Sequence, residues 1–354
     1  MATPNPAQQI AAEIRALQNK VNDLQKAVRL ASARDAVEDL QTKIGSQSQR
    51  IATARGRGYV FENDLEAQAQ SYVESWALLY PNLQMQINQQ STMLMNSLRP
   101  IEMQMPQLAA AANNPFTARG ILNTLQSSVS QLESKVSAAE STIRGMYDQF
   151  KQQASTFIQR LDQIEYLLTQ LAEATFGLLP TEGGIAAITA VWCKTGKEQK
   201  GDPEGVLYLT DQRLLFEQKE EIATKKVLFI ATEKQKVQAL QLEVPVALVD
   251  NVQTSKAGLL KNEDHIEVRF QTGAPVQSAH FHIWQDCEIW QGLINRAKSK
   301  DFDKGRAVGI DQAEVAKVKA APTQCPACGG AITQVVLRGQ DTIKCEYCGN
   351  VIRL

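Results

Sequence analysis

Two short cysteine clusters near the end of the chain carry the clearest chemistry in the sequence. Cys325-Pro326-Ala327-Cys328-Gly329 and Cys345-Glu346-Tyr347-Cys348-Gly349 repeat one pattern, a pair of cysteines two residues apart followed by glycine. Sixteen residues lie between Cys328 and Cys345, a spacing that reads as a four-cysteine zinc site. Two intervening residues let a tight turn aim both sulfurs at one ion, and the glycine supplies a positive φ just after it. Two such turns complete a tetrahedron of thiolates at about 2.3 Å from the metal. The sequence therefore predicts Cys325, Cys328, Cys345 and Cys348 as the ligands of a structural Zn2+. Every position being taken by sulfur, no place is left for a reacting water, which argues against metal hydrolysis. A module of about 30 residues has too little core to fold alone, so metal binding and folding should be coupled. The other reading of the same residues is a pair of redox dithiols.

The remaining reactive side chains suggest less. His280 and His282, two apart, share a strand face and can chelate in principle, but no acidic or cysteine partner is evident beside them in sequence. They and His265 are expected to be ordinary strand residues, and Cys193 and Cys287 buried apolar ones. No phosphate-cradling glycine loop and no hydrolase elbow occurs. Lys194, Lys197, Lys200, Lys225 and Lys226 form a candidate anion-binding surface. Glu198, Asp202, Glu204, Glu220 and Glu221 are interleaved with them, so a solvated face is the simpler expectation.

Composition bounds the class. The 354 residues suffice for two or three domains, with 44% apolar and 21% charged residues. A formal net charge of −1 gives no bulk attraction to nucleic acid or acidic lipid. Residues 1–10 carry no basic segment and no apolar core, so no secretory signal is expected, and the thiols are expected in a reducing, cytoplasmic compartment.

The elements that must position these residues begin with helices. From Leu122 apolar residues recur in steps of three and four through Leu125, Val129, Leu132, Val136, Ala139, Ile143, Met146 and Phe150, a heptad seam. The register slips by a four-residue stutter after Phe150 and resumes from Phe157 to Leu171. Asn114-Pro115 reads as an N-cap with proline at the first helical position, and Phe176-Gly177 with Pro180 as a stop. One helix of about 60 residues would be about 90 Å long. A second seam runs from Ile10 to Ala31, shifts near Leu30 and ends at Arg55-Gly56-Arg57-Gly58. A third helical span starts near Glu62, with Pro81 expected to interrupt it and Pro100 and Pro106 to kink or divide it. Met85, Met93 and Met95 are expected to fill gaps in the core, a methionine-lined groove being the rarer alternative. Three comparable spans suggest an up-down-up antiparallel bundle over residues 1–180.

Past Pro180 helical periodicity disappears. Strands are expected at 185–194, 205–210, 213–217, 226–231, 236–242, 247–254, 265–271 and 279–284, and an amphipathic helix at 286–298. The stretch Gly205-Val206-Leu207-Tyr208-Leu209-Thr210-Asp211-Gln212-Arg213-Leu214-Leu215-Phe216 resembles the signature hairpin of GRAM domains, members of the pleckstrin-homology-like superfold. Val244-Pro245-Val246-Ala247-Leu248-Val249-Asp250-Asn251-Val252 is similar to a later strand of that family. The resemblance covers about residues 183–298. It implies a seven-stranded split β-barrel capped by a helix, used for lipid or protein binding and not for catalysis. Residues 299–324 read as a flexible linker, and 325–354 resemble a zinc ribbon.

The sequence thus predicts a multi-domain α + β protein: helical bundle or coiled coil 1–180, GRAM-like β domain 181–298, linker 299–324, zinc ribbon 325–354. The function expected is that of a cytoplasmic, non-enzymatic scaffold or adaptor docking protein partners. Self-association through the helices and a peripheral contact with the inner face of a membrane are further expectations. Nucleic-acid binding through the ribbon is an alternative for which Arg338, Lys344 and Arg353 are a thin basic complement. A zinc–thiolate redox sensor is the other.

Overall fold

A computed structural model of the chain describes residues 6–227, 230–258 and 262–354. It divides into two compact units, one comprising the chain up to Ser48 together with Ala67–Ile158, the other Gln49–Glu66 with Gln159–Leu354.

The first unit is built from α1 (Pro6–Ala27) and parts of α2 (Ala31–Gly56), α3 (Leu65–Ala111) and α4 (Pro115–Glu173). The register shift near Leu30 is a true break: Leu30 is buried with φ 52°, a left-handed conformation costly for leucine and held here by its packing. The expected interruptions of α3 do not occur. It runs unbroken through Pro81, Pro100 and Pro106. Each proline removes a helical hydrogen bond, but Trp76, Leu83, Ile87, Leu94, Leu98, Ile101 and Leu108 lie on one buried seam that spans all three. α4 begins as the Asn114 cap predicts, with the Thr117 N–H donating to Asn114 Oδ1 at 3.3 Å. Its stutter falls slightly earlier than expected, because Tyr147 and not Met146 takes the buried position after Ile143.

Cross-helix pairs fix the topology. Gln25–Glu102 (2.7 Å) and Arg34–Asn88 (3.0 Å) run α1 and α2 antiparallel to α3. Tyr72–Phe157 and Trp76–Phe150, with centroids 5.3 and 5.2 Å apart, set α3 antiparallel to α4. Glu13–Arg119 (2.7 Å) and Lys20–Glu133 (3.4 Å) set α1 parallel to α4. One core of residues from all four helices closes this up-down-up bundle within the chain. The methionines correct the expectation: Met85, Met93 and Met95 are 57%, 56% and 44% exposed, with the core seam taken by leucine and isoleucine instead.

Two buried residues described in this unit are polar, Ser91 and Gln47, and Ser91 Oγ donates to the Val28 carbonyl at 2.9 Å. Gln47 is fully buried, and neither its Oε1 nor its Nε2 has a hydrogen-bond partner. An unmet buried amide costs about 1–3 kcal/mol. Gln47→Met, close in volume, is expected to raise the stability of the bundle by about 1–2 kcal/mol, read as increased protection in native-state amide exchange of α2.

The second unit contains β1 (Gly184–Trp192), β2 (Glu204–Thr210), β3 (Arg213–Val227), β4 (Ile230–Pro245), β5 (Val249–Ala257), β6 (Glu263–Phe270), β7 (Ser278–Ile283) and α5 (Cys287–Lys298). Among the described residues these seven strands form one antiparallel sheet in the order β4-β3-β2-β1-β7-β6-β5. Leu207, Tyr208, Leu214, Leu215, Phe216, Ile266, Val268 and Phe281 are buried in it. α5, capped by Asp286, buries Trp290, Ile294 and Ala297 and is tied to β5 by Gln291 Nε2 donating to the Val252 carbonyl at 2.7 Å. The separate strands expected at 226–231 and 236–242 are instead parts of one long hairpin, since the β3–β4 register continues from Arg213↔Pro245 to Val227↔Ile230, absorbed by bulges.

Gly205 sits where two backbones nearly touch. A Cβ there would lie 2.0 Å from the Glu217 carbonyl oxygen and 2.8 Å from Gln218 Cα. Gly205→Ala is expected to cost about 3 kcal/mol by forcing β2 from β3, seen as a lower thermal midpoint.

The stretch 299–324 carries a turn of 3-10 helix at Asp301–Gly305 and α6 (Gln312–Ala320). Phe302 packs on Phe61, and the Ala307 N–H donates to the Val60 carbonyl at 2.8 Å. No helix among the described residues is long and apolar enough to cross a membrane.

Candidate metal centre

The two cysteine turns have the same backbone. In the first, the Gly329 N–H donates to the Cys325 carbonyl (2.8 Å) and the Cys325 N–H to that of Gly330 (2.8 Å). In the second, Gly349 donates to Cys345 (2.9 Å) and Cys345 to Asn350 (2.9 Å). Gly329 and Gly349 take φ +71° and +74°, the left-handed conformation their place in the motif predicts. β8 (Thr342–Lys344) and β9 (Val351–Arg353) pair antiparallel and carry the second turn between them. Cys325, Cys345, Ile343 and Ile352 form a small buried core with Ile332, Val336 and Leu354 against it. Tyr347, from the second turn, lies over the first: a Cβ on Gly330 would be 2.6 Å from its ring.

The four sulfurs lie within 4.8 Å of one another. Cys325 Sγ–Cys348 Sγ and Cys328 Sγ–Cys345 Sγ are each 3.7 Å. A tetrahedron with metal–sulfur bonds of about 2.3 Å has edges of about 3.8 Å, so the cluster already has the size a zinc ion needs. Burial disfavours the Cys325 thiolate, but the Cys328 and Ala327 amides bring its pKa down to about 7. The Gly330 amide favours the Cys328 thiolate, and the neighbouring Cys348 and Cys345 sulfurs outweigh it and push that thiol up to about 12. Thiolates this close repel one another, and a cation between them offsets that repulsion.

The loop between the turns is fastened to the β domain. The Arg338 N–H donates to Gln212 Oε1 (2.6 Å), Gln212 Nε2 to the Arg338 carbonyl (3.0 Å), and the Arg338 guanidinium to Asp211 Oδ2. Arg306 Nη1 also reaches Asp211 Oδ2 (2.7 Å), and the Gly183 N–H reaches Oδ1 (2.9 Å). Burial pushes the Asp211 carboxyl up, against the pull of that amide and both arginines. Gly339, φ +81°, lies so close to Pro180 that a Cβ would be 2.4 Å from its carbonyl oxygen.

Next to this joint Arg213 grips Glu182, with Nε–Oε1 at 2.9 Å and Nη2–Oε2 at 2.5 Å, and reaches Glu243 (2.7 Å) and the Gly177 carbonyl (2.8 Å). Burial works against the charge of Arg213, but its carboxylate partners hold it protonated. The hairpin residues Thr210, Asp211, Gln212 and Arg213 are thus all buried and all used in holding structure. Asp211-Gln212 falls in the turn expected between strands 205–210 and 213–217, and the only local mark of its structural role is an acid and an arginine at a turn within an otherwise apolar hairpin.

Of the lysines, Lys194, Lys197 and Lys200 are exposed in the loop between β1 and β2, and Lys194 Nζ lies 5.2 Å from the centroid of the Trp192 ring. Lys225 and Lys226 fall in β3, in the hairpin that extends past Gly205 at the same end of the sheet, and their side chains lie outside the described residues. The structure gives Lys194, Lys197 and Lys200 as one exposed loop.

No family model matches the chain, and no curated protein matches it. Among solved structures, a mutant form of the DH/PH domains of p115-RhoGEF is similar at 11% identity, over 82% of this chain and 98% of that one, with a TM-score of 0.22. The DH/PH domains of p115-RhoGEF in a second crystal structure give 13% identity, 84% and 95% coverage and a TM-score of 0.21. A TM-score of that size is below that of a shared fold, so the reading below rests on the chain's own residues.

Proposed function

We propose that the protein is a non-enzymatic scaffold or adaptor, in which a GRAM-like β domain and a structural zinc ribbon, held by Cys325, Cys328, Cys345 and Cys348, act together as one docking surface for protein partners. The observation that carries this is the joint: Arg338, between the two cysteine turns, is clamped to Asp211 and Gln212 at the tip of the β2–β3 hairpin. A ribbon fixed in this way presents a constant face, and a four-thiolate ion with no open position supplies stiffness and no reaction. The zinc–sulfur chemistry would be that of a closed cross-link, replacing a core too small to fold alone.

The test is affinity capture with the full chain and with Cys345→Ser, both cross-linked before lysis and quantified by mass spectrometry. Partners recovered by the natural sequence and lost with the ribbon are expected. Equal recovery by both, or turnover of a substrate by the purified protein, contradicts the proposal. A peripheral contact with an anionic membrane surface is a second reading, favoured by exposed Lys194, Lys197 and Lys200 on one loop. Co-sedimentation with anionic vesicles, reduced in a triple Lys→Gln variant, is its expected result; a gel shift with a steep salt slope would point to nucleic acid instead.

A further inference from the structure

The protein's three histidines meet at one place in the sheet. His265 in β6 is the register partner of His282 in β7, and His280 lies two residues earlier on the same strand. β7 also pairs with β1, and just past the end of β1 the Cys193 N–H donates to the His280 carbonyl at 2.8 Å. Cys193, His265 and His280 thereby offer one sulfur and two nitrogens within 4.8 Å of one another. His265 Nδ1 is 3.1 Å from His280 Nε2. The edge of a tetrahedron with metal–nitrogen bonds of about 2.05 Å is about 3.3 Å.

Hydrogen bonding alone leaves this cluster unsatisfied. Two imidazoles meeting nitrogen to nitrogen share a single proton. Whichever ring donates it, His265 Nε2 stays buried without a hydrogen-bond partner, in a residue only 5% exposed. Cys193 is buried too, its sulfur 3.7 Å from the Val191 carbonyl and beside the His282 amide. A cation between the two rings and this sulfur resolves the arrangement. His265 Nδ1, His280 Nε2 and the Cys193 thiolate turn their lone pairs to it. His265 Nε2–H is then left to Glu263 Oε2, now 3.8 Å away, the kind of carboxylate that orients a metal-bound imidazole. His282 walls the site: its ring stacks on His265 and Trp284, with centroids 4.8 and 4.3 Å apart, and its Nδ1 lies 2.6 Å from Glu198 Oε2. His280 is half-buried, which gives an ion access.

We propose that Cys193, His265 and His280 form a second transition-metal site, taking a borderline divalent ion such as zinc. One thiolate with two imidazoles suits that class of metal. Three protein ligands leave a fourth position for water or a small anion, unlike the four-cysteine cluster.

Metal content of the full chain, purified with zinc and freed of loosely bound ions, tests this. About two equivalents of zinc are expected, with about one retained in Cys345→Ser and about one in Cys193→Ser. In a Cys345→Ser/Cys348→Ser background, Co2+ is expected to give sulfur-to-cobalt absorption of roughly a quarter the strength of a four-thiolate site. Adding Cys193→Ser abolishes that band. His280→Gln, at a half-buried position, shifts or removes it. One zinc in the natural sequence with none in Cys345→Ser overturns the proposal. So does a cobalt band that is absent, or that neither Cys193→Ser nor His280→Gln alters.

Discussion

Cys345→Ser is expected to unfold the whole of residues 325–354 while leaving the β domain folded. The reason is the size of the module. Its core is Cys325, Cys345, Ile343 and Ile352 with three partly buried neighbours, and two of those four are the proposed metal ligands themselves. Such a core cannot offset the conformational entropy of about 30 residues. Without the cross-link the two turns separate, β8 and β9 lose their pairing, and Arg338 leaves Asp211 and Gln212. Removing zinc with a strong chelator should do the same to the natural sequence. Amide exchange by mass spectrometry checks both: protection over 325–354 is expected to vanish, with that of β1, β2 and β5 to β7 kept. Retained protection after full metal removal would mean the module folds on its own contacts.

Arg213→Met is expected to be the most damaging single change in the β domain. The Arg213 and Glu182 side chains are 5% and 0% exposed, and their contact is bidentate. Removing one partner of a buried pair costs about 3–5 kcal/mol, because the other charge is left in a site that cannot solvate it. Glu182 keeps the Thr210 hydroxyl (2.6 Å) and the Leu179 N–H (2.7 Å), which soften the loss without neutralising the charge. Glu182→Gln added to Arg213→Met removes that charge and preserves an acceptor, and should recover part of the stability. Native-state exchange of the β2 and β3 amides measures the difference. A loss below about 1 kcal/mol for Arg213→Met would show that Glu182 is solvated.

What could be read from sequence followed local rules. The cysteine turns were legible because spacing and glycine alone dictate their geometry, and the sulfurs converge as expected. The α4 seam and Asn114 cap were legible for the same reason, since a helix sets its own periodicity. Long-range pairing was not. α3 crosses three prolines because a core formed with other helices outweighs the local penalty, and no stretch of α3 announces this. Arg338 meets Gln212 across 126 residues, and the three histidines meet Cys193 only through the β1–β7–β6 pairing. Met85, Met93 and Met95 were expected inside and lie outside, because the buried seam of α3 runs through Leu83, Ile87, Leu94, Leu98 and Met105 instead.

The most direct test of the zinc ribbon is cadmium NMR of the full chain loaded with 113Cd, which reads the ligand set from the chemical shift. A resonance in the four-sulfur region is expected, lost in Cys345→Ser and unmoved by added halide, since no coordination position is open. A signal with nitrogen or oxygen ligands only, or a sulfur-rich signal that halide shifts, would contradict the closed structural site on which the docking role rests.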